Sequence, residues 1–106
     1  MKDLERTVES NHLSNLIALR LYYLVPTVLR FGPVRVMIYT NDHRPAHVHV
    51  WEGQQEAVFS LNCPAGPIEL RENYGFSLPE VNNLVRTLQP HVKFLCAAWE
   101  AIHGHH

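Results

Sequence analysis

Three histidines fall close together in the segment HRPAHVHV, with the spacing H-x3-H-x-H. If this segment is a β-strand, His47 and His49 point to the same face, because side chains alternate along a strand. His43 precedes them in a bend that Pro45 stiffens. We therefore expect three imidazole rings that can converge on one point.

The first interpretation of this cluster is a metal site. Neutral imidazole nitrogens are common zinc ligands, and three of them leave one coordination position for water or substrate. Asp42 or Glu56 would serve as a fourth ligand or would orient one of the rings. The ligands expected under this interpretation are His43, His47 and His49, and the cofactor is a divalent transition metal.

The second interpretation is acid–base catalysis by the same three histidines, with no cofactor required. One imidazole would take the 2′-OH proton of a ribose while another protonates the leaving oxygen of the phosphodiester. Arginine binds phosphate oxygens through two parallel hydrogen bonds, and tryptophan stacks on bases. The residues predicted to bind the substrate are Arg44, Arg35, Trp51 and Tyr74.

The third interpretation gives the histidines no chemistry. In it His47 and His49 lie on the solvated or partner-facing side of a sheet, while Val48 and Val50 fill the core. The spacing alone does not choose among the three interpretations, so it does not decide whether the chain is an enzyme.

The segments around the histidines predict an α+β fold that begins with a helix. Residues 3–24 carry apolar residues at three- and four-residue steps, which is typical of an amphipathic helix, and Pro26 ends it. Short turns then separate apolar segments with strand-like alternation, which favours a four-stranded antiparallel β-meander. The predicted strands are residues 27–31, 34–40, 47–51 and 55–61.

After the fourth strand the sequence predicts two helices. Residues 68–75, IELRENYG, are expected to form a short helix that ends at Gly75. Ser77 and Glu80 form a capping box at the start of a long C-terminal helix, and Pro90 predicts a kink in it. The expected organisation is an N-terminal helical extension at residues 1–25 and a single α+β domain at residues 26–106.

Composition restricts the compartment and the partners. Nine Lys and Arg against ten Asp and Glu give a formal net charge of -1, so any contact with RNA must be local. Cys63 and Cys96 lack a CxxC spacing and predict free, buried thiols in a reducing cytoplasm. The apolar stretches fall short of the ~20 residues of a membrane span, so no membrane partner is expected.

Four blocks of the sequence resemble a family of small bacterial proteins called domain of unknown function 4160, known for a Pro-Pro-His-Val-His motif. The blocks are PTVLRFG, NDHRPAHVHV, ELRENYGFSLPE and AWE. Ala46 stands where the motif has its second proline, and residues 1–25 precede the usual start of the family. The motif positions that match are His43, Pro45, His47 and His49, with Asn73, Tyr74 and Gly75 in a later block.

This resemblance implies a small bacterial protein encoded beside another small gene. We therefore predict a toxin-like component of a toxin–antitoxin gene pair, with an antitoxin-like protein partner encoded nearby. It would act on RNA, or on a target bound to nucleic acid, through the histidine-rich strand. One alternative is a non-catalytic binding module or inhibitor that uses the sheet face and the first helix, which would also form a homodimer. The other is a metal-binding hydrolase.

Overall fold

The structure of the protein is a computed structural model that describes residues 26–104. The predicted N-terminal helix and the homodimer expected through it lie outside these residues. The elements in chain order are β1 (Thr27–Phe31), β2 (Val34–Met37), β3 (His47–Glu52), β4 (Gln55–Ser60), β5 (Glu69–Tyr74), α1 (Leu78–Leu88), a 3-10 turn (Gln89–His91) and α2 (Val92–His103). The fold is therefore α+β, as predicted.

The five strands form one antiparallel sheet in chain order, β1-β2-β3-β4-β5. Val50 lies in the centre of this sheet, opposite Val36 on one side and Ala57 on the other. All three side chains are buried in a single hydrophobic cluster with residues of both helices. This arrangement confirms the four predicted strands and places His47 and His49 on the face opposite the apolar cluster.

The fifth strand corrects the prediction of a short helix at residues 68–75 and makes the sheet five-stranded. Its six residues are all exposed and pair with β4, from Ser60 opposite Glu69 to Glu56 opposite Tyr74. Charged side chains are common on edge strands, where they discourage pairing with other chains. Glutamate and arginine also favour helices, so backbone pairing with β4 decides the structure here and local propensity does not.

The C-terminal helical segment follows the prediction closely. Ser77 Oγ accepts a hydrogen bond from the backbone of Glu80, and the Glu80 side chain accepts one from the backbone of Ser77. The 3-10 turn that contains Pro90 separates α1 from α2, which confirms the kink. Within residues 26–104 no helix is long and apolar enough to cross a membrane.

One apolar stripe continues across the kink and covers the sheet. The buried residues of the two helices contact those of the sheet in one core cluster, and Trp99 is 1% exposed within it. The helical contribution to this cluster is Val81, Leu84, Leu88, Val92, Leu95 and Trp99. The core therefore occupies one face of the sheet and leaves the other face for polar side chains.

A disulfide between Cys63 and Cys96 corrects the prediction of free thiols. The two Cα atoms lie 5.8 Å apart although the residues are 33 positions apart in sequence. The loop after β4 brings Cys63 against α2, a contact that sequence spacing alone does not report. Disulfides persist mainly in oxidising compartments, so this bond argues against a reducing cytoplasm. The cytoplasmic location stays a prediction.

Candidate metal centre

His47 and His49 project from β3 on the face opposite the core. Their ring centroids are 5.2 Å apart, in an edge-to-face arrangement. Both side chains are largely buried, with exposed fractions of 6% for His47 and 12% for His49. Little of either ring is therefore in contact with solvent, although both lie on the sheet face that the third interpretation gave them.

The loop between β2 and β3 places the Asp42 side chain against His47 and His49. The backbone N–H of Tyr39 donates to Asp42 Oδ2 at 3.2 Å, and the N–H of Asp42 donates to the Tyr39 carbonyl at 3.1 Å. These two bonds fix the Asp42 carboxylate in a tight turn. Its Oδ2 atom lies 3.3 Å from Nε2 of His47 and 3.1 Å from Nε2 of His49.

Asp42, His47 and His49 thus bring three potential ligand atoms together, all within 4.8 Å of one another. Asp42 is also nearly buried, with 12% of its side chain exposed. A buried carboxylate is costly unless a positive charge or hydrogen-bond donors compensate it. The Tyr39 N–H and the two imidazole rings are its partners, and the same three side chains could hold a metal ion.

The other ring nitrogen of each histidine contacts a different oxygen. His47 Nδ1 lies 2.9 Å from the carbonyl oxygen of Pro45, and His49 Nδ1 lies 3.1 Å from Oε2 of Glu56. A carbonyl only accepts hydrogen bonds, so the His47 ring carries a proton on Nδ1. His49 lies between two carboxylates, Glu56 at Nδ1 and Asp42 at Nε2, so its proton can lie on either nitrogen and a doubly protonated ring donates to both. In the Nδ1–H tautomer of both rings, the two Nε2 lone pairs face the oxygens of Asp42.

Aromatic side chains hold His49 from its flank. The Tyr39 ring stacks on His49 at a centroid distance of 3.9 Å, and Trp51 donates its indole N–H to the Tyr39 hydroxyl at 2.9 Å. Burial raises the pKa of Tyr39 above its usual value, so the hydroxyl stays neutral and accepts this bond. These contacts and Glu56 determine the orientation of the His49 ring.

A cleft of about 540 Å³ opens beside Asp42. Arg44 lies at its rim, where its guanidinium stacks over the Trp99 ring at 5.0 Å and pairs with Glu100 at 2.8 Å. The residues that line the cleft are Thr40, Asn41, Asp42, His43, Arg44, Trp99 and His103. Asp42 therefore belongs to the ligand cluster and also lines the cleft.

The structure separates the predicted site residues into three places. His47 and His49 lie together, whereas His43 is exposed in the cleft and outside the ligand cluster. Asp42, which was expected as a fourth ligand or as a partner that orients a ring, lies with the two histidines. Arg44 lies at the cleft rim. The motif therefore places His47 and His49 in the ligand cluster and His43 and Arg44 in the cleft.

The remaining predicted substrate-binding residues lie in one row across the sheet. Arg35 is opposite Trp51, Trp51 is opposite Glu56, and Glu56 is opposite Tyr74. Tyr74 is exposed and donates its hydroxyl to Glu72, which raises the pKa of Tyr74. Within this row Glu56 contacts His49 directly, so the row adjoins the ligand cluster through Glu56.

Tyr39 and His103 contact the site residues but are not among the residues predicted to bind substrate or metal. Tyr39 lies just beyond β2, where the alternation of Arg35 and Met37 continues onto the face of His49. That alternation was a usable signal for Tyr39. His103 stacks on Trp99 at 3.9 Å, a contact between successive turns of α2 that becomes relevant only once the cleft is known.

A family model described as domain of unknown function (DUF4160) matches residues 34–100, which include the whole histidine motif and both helices up to Glu100. The chain belongs to this family. No curated protein and no solved structure matches the DUF4160 chain. The toxin-like action, the nearby protein partner and the RNA target stay predictions.

Proposed function

We propose that this DUF4160 protein is a metal-dependent hydrolase whose metal ion is bound by Asp42, His47 and His49. The observation that carries the proposal is the pairing of the ring nitrogens. Both Nδ1 atoms contact hydrogen-bond acceptors, and both Nε2 atoms lie within 3.3 Å of one buried carboxylate. With both rings in the Nδ1–H tautomer, the Nε2 lone pairs would face a negative charge, and a metal ion between them would convert this repulsion into coordination.

The distances between the ligand atoms support a metal ion as that cation. Two ligand atoms bound at ~2.0–2.1 Å to a tetrahedral zinc ion lie roughly 3.3 Å from each other. The Asp42 Oδ2 atom is 3.3 Å from Nε2 of His47 and 3.1 Å from Nε2 of His49. Protons on both Nε2 atoms would make the same two contacts as hydrogen bonds, and the metal content of the purified protein distinguishes the two arrangements.

The ligand set also restricts the chemistry. Two histidines and one carboxylate are found in zinc hydrolases and in non-haem iron enzymes, and both leave coordination positions for water and substrate. We favour hydrolysis, because the adjoining cleft carries Arg44 and His43, which suit an anionic substrate. The toxin-like action on RNA is then a hypothesis about substrate, in the form of a metal-dependent phosphodiester hydrolase.

Residues that contact the Nδ1 atoms of the two histidines also support metal binding. A carboxylate or carbonyl that accepts the Nδ1–H of a ligating histidine fixes the tautomer and makes Nε2 a better donor to the metal. Glu56 has this position for His49, and the Pro45 carbonyl has it for His47. Both histidines are thus prepared to bind through Nε2.

The test is the metal content of protein that is purified without a tag and dialysed against a mixture of Zn²⁺, Mn²⁺, Fe²⁺ and Ni²⁺. We expect one bound ion per chain in the wild type, measured by mass spectrometry of the elements. Asp42→Ala and His49→Ala should lose it. His43→Ala is the matched control, because His43 belongs to the same motif but lies outside the ligand cluster, and this variant should keep the ion. Equal, substoichiometric metal in all four proteins would refute the proposal.

A further inference from the structure

We propose that the cleft beside Asp42 binds the phosphate group of the substrate, with Arg44 and His43 as its contacts. This inference rests on the proposed metal centre and names the substrate class of that site. The volume of about 540 Å³ falls in the range of ligand pockets, about 300–1,000 Å³. A phosphate ester of the size of a mononucleotide fits such a volume.

The charges along the cleft favour an anion. Asp42 is the one acidic residue among those that line it, and basic or imidazole side chains come from His43, Arg44 and His103. A divalent ion bound by Asp42 would more than balance the carboxylate. The cleft of the metal-bound protein is therefore cationic, although the whole chain has a formal net charge of -1.

Arg44 is already positioned for two-point binding. Its side chain is 49% exposed, and Glu100 contacts only its Nη2 atom among the pairs seen in residues 26–104. A guanidinium has five N–H donors in a fixed plane, so donors remain for two oxygens of one phosphate. The Trp99 ring beneath it restricts its motion, which lowers the entropy lost when a ligand binds.

Two ring nitrogens in the wall of the cleft lack a hydrogen-bond partner among the described residues. Trp99 and His103 both line it, and the indole nitrogen of Trp99 and Nε2 of His103 are buried without a hydrogen-bond partner among the described residues. An indole N–H can only donate. An anion in the cleft places negative charge next to this wall and compensates part of the cost of these buried groups.

A phosphate suits this arrangement better than a carboxylate does. One of its oxygens can bind the metal while two others contact Arg44 and His43, whereas a carboxylate has only two oxygens in all. In the hydrolysis that follows, the oxygen of a water molecule bonds to phosphorus and the bond from phosphorus to the leaving oxygen breaks. The proton that the water gives up passes to the leaving oxygen, so atoms and charge balance.

The test is calorimetric titration of zinc-loaded protein with inorganic phosphate, and with acetate as the carboxylate probe. We expect saturable phosphate binding that Arg44→Gln weakens by at least tenfold. Glu100→Gln removes the ion pair but keeps the guanidinium, so it should bind phosphate at least as well as the wild type. Arg86→Gln, which removes an exposed arginine of α1, should bind phosphate like the wild type.

The outcomes separate this inference from the metal proposal. If zinc binds normally to every variant but Arg44→Gln binds phosphate as the wild type does, the cleft assignment is overturned and the metal centre stands. Acetate binding as tight as phosphate binding overturns the substrate class. If no metal binds to the wild type, the proposed function itself fails.

Turnover assays then identify the source of the phosphate. Zinc-loaded protein is incubated with a single-stranded oligoribonucleotide and, separately, with bis(p-nitrophenyl) phosphate. Cleavage of the oligoribonucleotide supports a polymeric substrate, and cleavage of the small diester alone supports a small-molecule ester. Cleavage of neither diester, at a zinc occupancy of one, would contradict the assignment.

Discussion

The Asp42 carboxylate lies 3.1 Å from Nε2 of His49, although these residues are seven positions apart in the chain. The bend between β2 and β3 produces this contact, because it leaves the sheet after Met37 and returns at His47. One short segment therefore supplies all three proposed metal ligands. Glu56 on the neighbouring strand completes the surroundings of His49, so the site requires the pairing of β3 with β4.

Replacing Glu56 by alanine should weaken metal binding without removing it. Glu56 accepts the Nδ1–H of His49, and loss of such a partner typically lowers metal affinity about 10- to 100-fold. Competition with a chromogenic zinc chelator measures this change. Glu72→Ala is the matched control, because it removes an exposed glutamate of β5 and should leave the affinity unchanged. Equal affinities for Glu56→Ala and the wild type would show that Glu56 does not support the ligand.

Metal should stabilise the folded chain, since the ligand cluster is assembled only when the sheet forms. At a free zinc concentration of one hundred times the dissociation constant, the free energy of unfolding should rise by about 2.7 kcal/mol. Urea denaturation in zinc and in chelator measures the difference. Asp42→Asn should show no such gain, and a gain of equal size in that variant would indicate binding at another site.

Reduction of the Cys63–Cys96 disulfide should destabilise the protein. The bond closes a loop across 33 positions, and cross-links of that span reduce the entropy of the unfolded chain by an amount worth roughly 3–4 kcal/mol. Urea denaturation with and without a reductant tests this. A Cys63→Ser/Cys96→Ser double variant should be as stable as the reduced wild type, both with and without the reductant. A wild type that is insensitive to reductant would mean that the bond does not form in solution.

The backbone of β5 should show the hydrogen exchange of an edge strand. Amides on each side of the irregularity at Arg71 alternate between facing β4 and facing solvent, so we expect about tenfold slower exchange at the amides that face β4. A helix at the same residues would protect consecutive amides instead. Hydrogen exchange measured residue by residue with NMR distinguishes the two. Protection of consecutive amides would contradict the strand and support the predicted short helix.

The sequence was sufficient for the parts of the fold that depend on local patterns. Alternation identified the face of Val48 and Val50, and the Ser77–Glu80 pair identified the start of α1. Pro90 predicted the break between the two helices. Each of these signals acts within a few residues, so it can be read without knowledge of the rest of the chain.

Two errors and one unexpected contact occur where distant parts of the chain meet. The residues of β5 have ordinary helix propensities, and only the free edge of β4 makes them a strand. The Cys63–Cys96 contact depends on how the loop after β4 packs against α2. The contact of Asp42, and not His43, with the two imidazoles depends on the turn at Tyr39, which directs the Asp42 side chain inward and leaves His43 exposed.

The alternation along β3 links the hydrophobic core to the histidines. Val48 and Val50 are fully buried on one face, and His47 and His49 take the other. A single inserted residue ahead of His47 that shifted the strand by one position would bury the imidazoles among aliphatic side chains and turn the valines toward Asp42. An insertion that shifts β3 in this way would therefore disrupt the proposed metal ligands and the hydrophobic core together.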